Sequence, residues 1–231
     1  MIILSRNLKI PRPLPDGFIA LIDKEPDWTS FDVVAKMRSI LKIKKIGHAG
    51  TLDPFATGLL ILLVGKATKI QDSLMAADKV YEAEIKLGKR TDSFDRTGKV
   101  IAGSDKKVSK EEITDAVKSC KGESLQLPPM FSAIKKNGKR LYELARKGIE
   151  VEREPRKITI HSIKIIEIET ESFKVRIHCS KGTYIRTLAD DIGDKLGTYA
   201  YLKELRRTAV ADHKIEDSFT IGEFRTRLSD H

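Results

Sequence analysis

Cysteine is scarce in this chain: its 231 residues hold two, Cys120 and Cys179, far apart in sequence. They form no metal-type pair, so neither a disulfide framework nor a zinc site is suggested, and a reducing compartment is the simplest home. Long apolar runs are missing too. None approaches the ~20 residues that span a bilayer, and the N-terminus has no uninterrupted apolar core of a signal peptide. The expectation is a soluble, cytoplasmic protein with no membrane partner.

The familiar nucleotide and hydrolase motifs are also lacking. A phosphate loop needs Gly-Lys-Ser/Thr, but Gly65-Lys66 is followed by Ala67 and Gly88-Lys89 by Arg90. No Gly-x-Gly-x-x-Gly opens a helix, no His/Cys spacing suits zinc, and there is no Gly-x-Ser-x-Gly elbow. No cofactor and no metal are implied. What the chain has in excess is positive charge: 43 basic against 33 acidic residues, a formal +10. That points to a polyanionic partner, with solubility alone as the plain alternative.

One stretch combines chemistry with rigidity. In Lys45–Lys69, KIGHAGTLDPFATGLLILLVGKATK, a glycine-punctuated turn carries His48, Thr51 and Asp53 and runs straight into the apolar segment Leu59–Val64. Pro54 fixes its own φ and biases Asp53 toward an extended conformation, so the carboxylate is expected to be held. An Asp before Pro among glycines is most often a turn residue bonding its own backbone. Against that, Lys42, Lys44, Lys45, Lys66 and Lys69 flank the loop, a setting for an anionic substrate beside a fixed carboxylate.

Read in order, residues 1–17 form an irregular, proline-bearing lead-in, and Phe18–Asp23 a first strand. Thr29 or Ser30 caps a helix over 31–42, and a helix over 67–77 follows the buried strand. Val80–Leu87 alternates as a strand, and Ser109 with Glu112 makes a capping box for a surface helix to Cys120. Lys157–Glu169 and Ser172–Cys179 read as an antiparallel hairpin. Thr183–Leu196 presents one apolar helical face closed by Gly197, which puts Tyr184 and Arg186 at the head of a helix. Tyr199–Val210 reads as a further strand and Phe219–Phe224 as a last short element. From 126 to 155 the chain is basic around Tyr142; a mobile arm and a solvated helix face both remain open. The strand-rich, non-alternating order implies an α+β fold with a mixed, largely antiparallel sheet and flanking helices.

Four motifs occurring together resemble the tRNA pseudouridine-55 synthase (TruB) family, over about Phe18 to Thr208. They are GHAGTLDPFATGLL with GKATK, DKVYEAEIKLGKRTDSFDRTG, LPPMFSAIKKNGKRLYELARKGIEV, and KGTYIRTLADDIG followed by LKELRRT. The resemblance implies an isomerase that converts uridine 55 in the tRNA T loop to pseudouridine. It implies that Asp53 is the catalytic carboxylate and that His48 helps hold the flipped-out nucleotide. By the same likeness Tyr81 stacks on the uracil, Arg186 pairs with the carboxylate beside Tyr184, and Leu205 lines the base pocket. The insertion at about 126–155 is similar to the family's RNA-gripping thumb.

The expected organisation is a single pseudouridine synthase catalytic domain over 1–231, without the separate C-terminal RNA-binding domain of bacterial members. The expected partner is the tRNA T stem-loop, with no protein partner required of a monomer. Where the family commonly reads Asp-Lys-Pro-x-Gly-x-Thr-Ser, this chain reads DKEPDWTS, with Glu25 at the first proline position and Asp27 at the glycine. Two other classes stay open: a non-catalytic tRNA-binding or RNA-folding module that retains the pocket, and a carboxylate-dependent nucleoside hydrolase.

Overall fold

The computed structural model describes residues 2–136 and 138–229. The chain begins with β1 (Ile2–Leu4), β2 (Gly17–Lys24), α1 (Ser30–Leu41), β3 (Ile46–Ala49) and β4 (Thr57–Gly65). A 3-10 turn (Lys66–Ile70) leads into α2 (Gln71–Ala76) and β5 (Lys79–Leu87). Then come β6 (Lys89–Thr91), β7 (Val100–Gly103), α3 (Lys110–Lys118), β8 (Gly122–Gln126), β9 (Lys135–Lys136), β10 (Lys139–Arg140) and α4 (Leu141–Ala145). The remainder is β11 (Arg156–Ile168), β12 (Ser172–Cys179), α5 (Ile185–Lys195), β13 (Ala200–Val210), β14 (His213–Lys214), a 3-10 turn (Ile215–Asp217) and α6 (Ile221–Ser229).

Two compact units divide the chain, Met1–Tyr81 with Leu205–His231, and Glu82–Glu204. In the first, the strand order is β1-β2-β4-β13-β5, with β3 also on β4 and β14 on β13. The pairs β1/β2 and β4/β13 are parallel, whereas β2/β4 and β3/β4 are antiparallel. Strand β4 is the axis of this unit. Its register sets Ile19 against Leu63 and Leu21 against Ile61, so these side chains share one face by the two-residue period of a strand. With Ala49, Leu59, Ala67, Leu74 and Val210 they form a buried cluster, each large side chain contributing roughly 1.5–3 kcal/mol.

Helix α1 starts where the sequence places it. Thr29 Oγ1 accepts from the Asp32 amide at 3.0 Å while the Asp32 carboxylate accepts from the Thr29 amide at 2.9 Å. The pair satisfies two otherwise orphaned donors. Val33, Val34 and Met37 are buried on its inner face, and the helix stops at Lys42, whose backbone is left-handed at φ 56°.

In the second unit the strand order is β13-β5-β12-β11-β8, with the separate two-stranded pairs β6/β7 and β9/β10. The β11/β12 hairpin is antiparallel, with register shifts between Ile160 and Ser162 and between Ile165 and Glu167. Phe173, Val175, Ile177 and Cys179 alternate into the core of β12. Helix α3 carries the Ser109/Glu112 capping box, and α5 buries Ile185, Leu188, Ala189 and Ile192. The architecture is α+β with a mixed, largely antiparallel sheet, as the sequence pattern implies.

Several local readings change. His48 lies on β3, paired with Leu62 of β4, and not on the turn itself. The lead-in contains β1, a short strand that Ile2–Leu4 form by pairing with 18–20. The stretch 67–77 is a 3-10 turn followed by a short α-helix. Phe219–Phe224 is not one element: Phe219 makes an isolated parallel bridge to Ile22, and α6 begins at Ile221, where Thr220 and Glu223 exchange hydrogen bonds.

Candidate active site

Asp53 sits half-buried in the segment 50–58, which joins β3 to β4 and takes in the first two residues of β4. Gly50 opens the segment at φ +90°, a conformation that favours glycine. From there the backbone is tied at successive points. The Arg207 guanidinium donates to Gly50 O at 3.0 Å and to Leu59 O at 2.8 Å. Ser30 Oγ accepts from the Leu52 amide at 2.9 Å and donates to Leu52 O at 3.3 Å. The Lys24 ammonium donates to Pro54 O at 2.9 Å, and also to Glu25 O at 2.9 Å and Trp28 O at 2.7 Å. Asp53 therefore stands between two anchored neighbours, Leu52 and Pro54.

Two of the three tethers are cations. Lys24 is fully buried and Arg207 is 1% exposed. Burial pushes the Lys24 ammonium down to about 8, opposed by the Asp27 and Asp53 carboxylates and reinforced by Arg207. The side chain still carries a proton at neutral pH, and its hydrogen bonds go to carbonyls that would otherwise be unsatisfied. Asp27, at the position where the related motif carries glycine, adopts φ 65° and donates its amide to Pro54 O at 2.9 Å. Aspartate is among the few residues that tolerate this conformation.

His48, Tyr81 and Leu205 belong to the same unit as Asp53. His48 is half-buried, and its Nδ1 is buried without a hydrogen-bond partner among the described residues. Burial, then the Arg207 charge, holds its pKa below the ordinary histidine value, with the Gly50 backbone acting the other way. The ring is thus kept neutral at physiological pH. Tyr81 is half-buried on β5, and Leu205 is buried on β13, two residues before Arg207 on the same face.

Tyr184 and Arg186 lie in the second unit. Tyr184 is the N-cap of α5; its amide donates to Gln126 Oε1 at 2.8 Å, and Gln126 Nε2 donates back to Tyr184 O at 3.0 Å. Arg186 is buried, ion-paired with Asp95 at 3.3 Å, and donates to Ser93 O at 3.3 Å and Phe131 O at 2.7 Å. Asp95 is itself oriented by the Ser93 hydroxyl at 2.8 Å and the Thr97 amide at 2.9 Å. Gln126 and Phe131 open the basic insertion, so its root is fastened to the head of α5. The insertion is a small folded piece: Leu141 is buried, and the Tyr142 ring faces the guanidinium groups of Arg140 and Arg146 at 5.9 and 5.5 Å. Lys135, Lys136, Lys139 and Lys147 are exposed on it.

Sequence reasoning missed Ser30, Asp95, Gln126 and Arg207. For Arg207 a signal existed: two residues beyond Leu205 on a strand, it must point inward with Leu205, and an inward cation needs a purpose.

Residues 38–185 match the model of the "TruB family pseudouridylate synthase (N terminal domain)", and 186–230 that of the "tRNA pseudouridylate synthase B C-terminal domain". The chain belongs to the TruB family. It is 50% identical over 199 residues to the tRNA pseudouridine synthase B of Clostridium tetani, covering 86% of this chain and 69% of that protein. It is 49% identical over 212 residues to the protein of that name from Opitutus terrae, covering 91% and 88%. Among solved structures it is similar to a chain of a Cbf5-Nop10-Gar1 complex, with TM-score 0.73 and 30% identity. The match takes in 97% of this chain and 62% of that one. Within this TruB-family chain, Asp53 and His48 fall inside the N-terminal family match, and Arg186 and Leu205 inside the C-terminal one. No helix among the described residues is long and apolar enough to cross a membrane.

Proposed function

We propose that this chain isomerises uridine 55 of the tRNA T loop to pseudouridine, with Asp53 as the catalytic carboxylate. The observation that carries the reading is the tethering of the backbone on either side of Asp53 to buried side chains of Ser30 and Lys24, in the segment that the family match covers. The reaction breaks the N1–C1′ bond, turns the uracil while it stays bound, and rejoins it through C5. An ionised carboxylate at C1′ serves each available route: electrostatic support of a cationic ribose, covalent attack, or removal of the 2′ proton. All demand placement to a fraction of an ångström, which tethered backbone supplies.

The target nucleotide has to leave its stack, at a cost of roughly a few kcal/mol. Tyr81 offers a stacking face worth about 1–3 kcal/mol, and a neutral His48 fills space without adding a cation beside the base. Leu205 supplies an apolar wall to the base pocket, and Tyr184 and Arg186 are assigned to RNA binding. The exposed lysines of the insertion hold phosphates and position the RNA without reading its sequence. The protein acts in the cytoplasm as a monomer, as a single catalytic domain with the 126–155 insertion, and without a protein partner.

The test is incubation of an unmodified T-arm stem-loop with the protein, followed by carbodiimide detection of pseudouridine. Wild type converts one uridine, and Asp53→Ala gives no product while binding the same RNA. Release of free uracil would assign hydrolysis instead. Equal conversion by Asp53→Ala would remove the carboxylate from the mechanism.

A further inference from the structure

Arg207 is a guanidinium at 1% exposure that serves carbonyls: among the described residues it forms no ion pair, and its donors go to Gly50 O and Leu59 O. These two acceptors bracket the segment bearing Asp53. The backbone of the same residue completes the bracket, because Arg207 pairs with Gly58 in the parallel β4/β13 register. The approach there is close. A Cβ on Gly58, at φ +103°, would run into the backbone carbonyl and amide of Arg207, and a Cβ on Gly50 would come within 3.3 Å of Arg207 Nη1. Both glycines thus lie against one arginine.

A buried, always-charged side chain is costly unless its donors are used, so its presence calls for a role. A hydrophobic residue of similar volume would fill the space but would leave Gly50 O and Leu59 O without this donor. From this geometry we infer that Arg207 is a positioning residue for the proposed reaction: it closes the 50–58 segment at both ends and thereby fixes where Asp53 stands. It touches neither substrate nor reacting atoms in this role. Its adjacent residue does a separate job, since Arg206 pairs with Asp23 at 2.7 Å and donates to Thr57 Oγ1 at 3.3 Å. The charge of Arg207 also reaches further into the unit, depressing both His48 and Lys24.

The inference rests on the isomerase reading, so the experiment keeps the two apart. Wild type, Arg207→Lys, Arg207→Met and Gly50→Ala are assayed on the T-arm stem-loop for kcat and KM, with thermal unfolding in parallel. Lysine keeps the charge but not a fork that reaches two carbonyls, and Gly50→Ala pushes the fork aside while leaving Arg207 in place. Both are expected to lose about 100-fold in kcat with KM changed less than about threefold, the pattern of a misplaced reacting group. Arg207→Met is expected to lose more and to raise the His48 titration followed by proton NMR, a readout independent of activity.

An inactive wild type would sink the isomerase reading, and the NMR shift would still decide whether Arg207 acts on His48 of β3, two residues before this segment; no shift overturns the inference. With an active wild type, a rise in KM at unchanged kcat overturns it. So does loss of folding in Arg207→Lys and Gly50→Ala together, which would place the residue in the stability of the unit and not in the placement of Asp53.

Discussion

The Asp53 segment and the 126–155 insertion use the same side chains for opposite ends. Around Asp53, Lys24 and Arg207 are sealed from water and spend their donors on backbone carbonyls. On the insertion, Lys135, Lys136, Lys139, Arg140, Arg146 and Lys147 face solvent. A buried cation with its donors engaged holds its neighbours in place, because leaving those acceptors bare costs about 1–3 kcal/mol apiece. An exposed cation keeps its hydration and its freedom, and attracts phosphate from a distance. Net charge alone therefore says little about function until burial divides it.

The sharpest way to break the contrast is to remove a sealed cation. Lys24→Met leaves the acceptors on Glu25, Trp28 and Pro54 without their shared donor and is expected to lower turnover by about 10- to 100-fold. Stability carries a pH signature as well. Since burial lowers Lys24 from 10.5 to about 8, the unfolded chain holds the extra proton between those values, so wild-type stability gains as pH rises through that window. Urea midpoints measured from about pH 7.5 to about 10.5 are expected to show a gain that Lys24→Met lacks.

Removing exposed cations gives a smaller and different effect. Replacing Lys135, Lys136 and Lys139 together by glutamine leaves kcat intact at saturating RNA. It weakens T-arm binding, and the slope of log affinity against log salt falls by about 0.7–0.9 for each phosphate that is no longer neutralised. An unchanged slope would take these lysines off the RNA. The smallest effect is a gain: Asp27→Gly relieves a left-handed backbone at φ 65° and is expected to stabilise the protein by about 1 kcal/mol, visible as a raised unfolding midpoint. A drop in the midpoint would mean that the Asp27 carboxylate, which supports the Lys24 charge, matters more than the strain.

Local signals are readable in the sequence and distant ones are not. The capping box of Ser109 and Glu112, the α5 face closed by Gly197 and the buried strand at Leu59–Val64 all arise from neighbours within a few residues, and the structure contains each. His48 reads as a turn residue because a four-residue strand, IGHA, shows no alternation of its own; its pairing with β4 makes it a strand. Strand β1 is likewise created by its partner. A restrained backbone at Asp53 is legible from Pro54 and the neighbouring glycines, but the groups that tether Leu52 and Pro54 are not. Lys24 reaches Pro54 across 30 positions, and Arg207 reaches Gly50 across 157. No period or propensity encodes a link of that span.

Trp28 is the sole indole in the chain, and its carbonyl shares the Lys24 ammonium with Pro54, the residue next to Asp53. An optical reporter is therefore wired to the segment without any label being added. Any rearrangement that loosens the shared ammonium alters the surroundings of one fluorophore, and stopped-flow emission can follow it in the native protein.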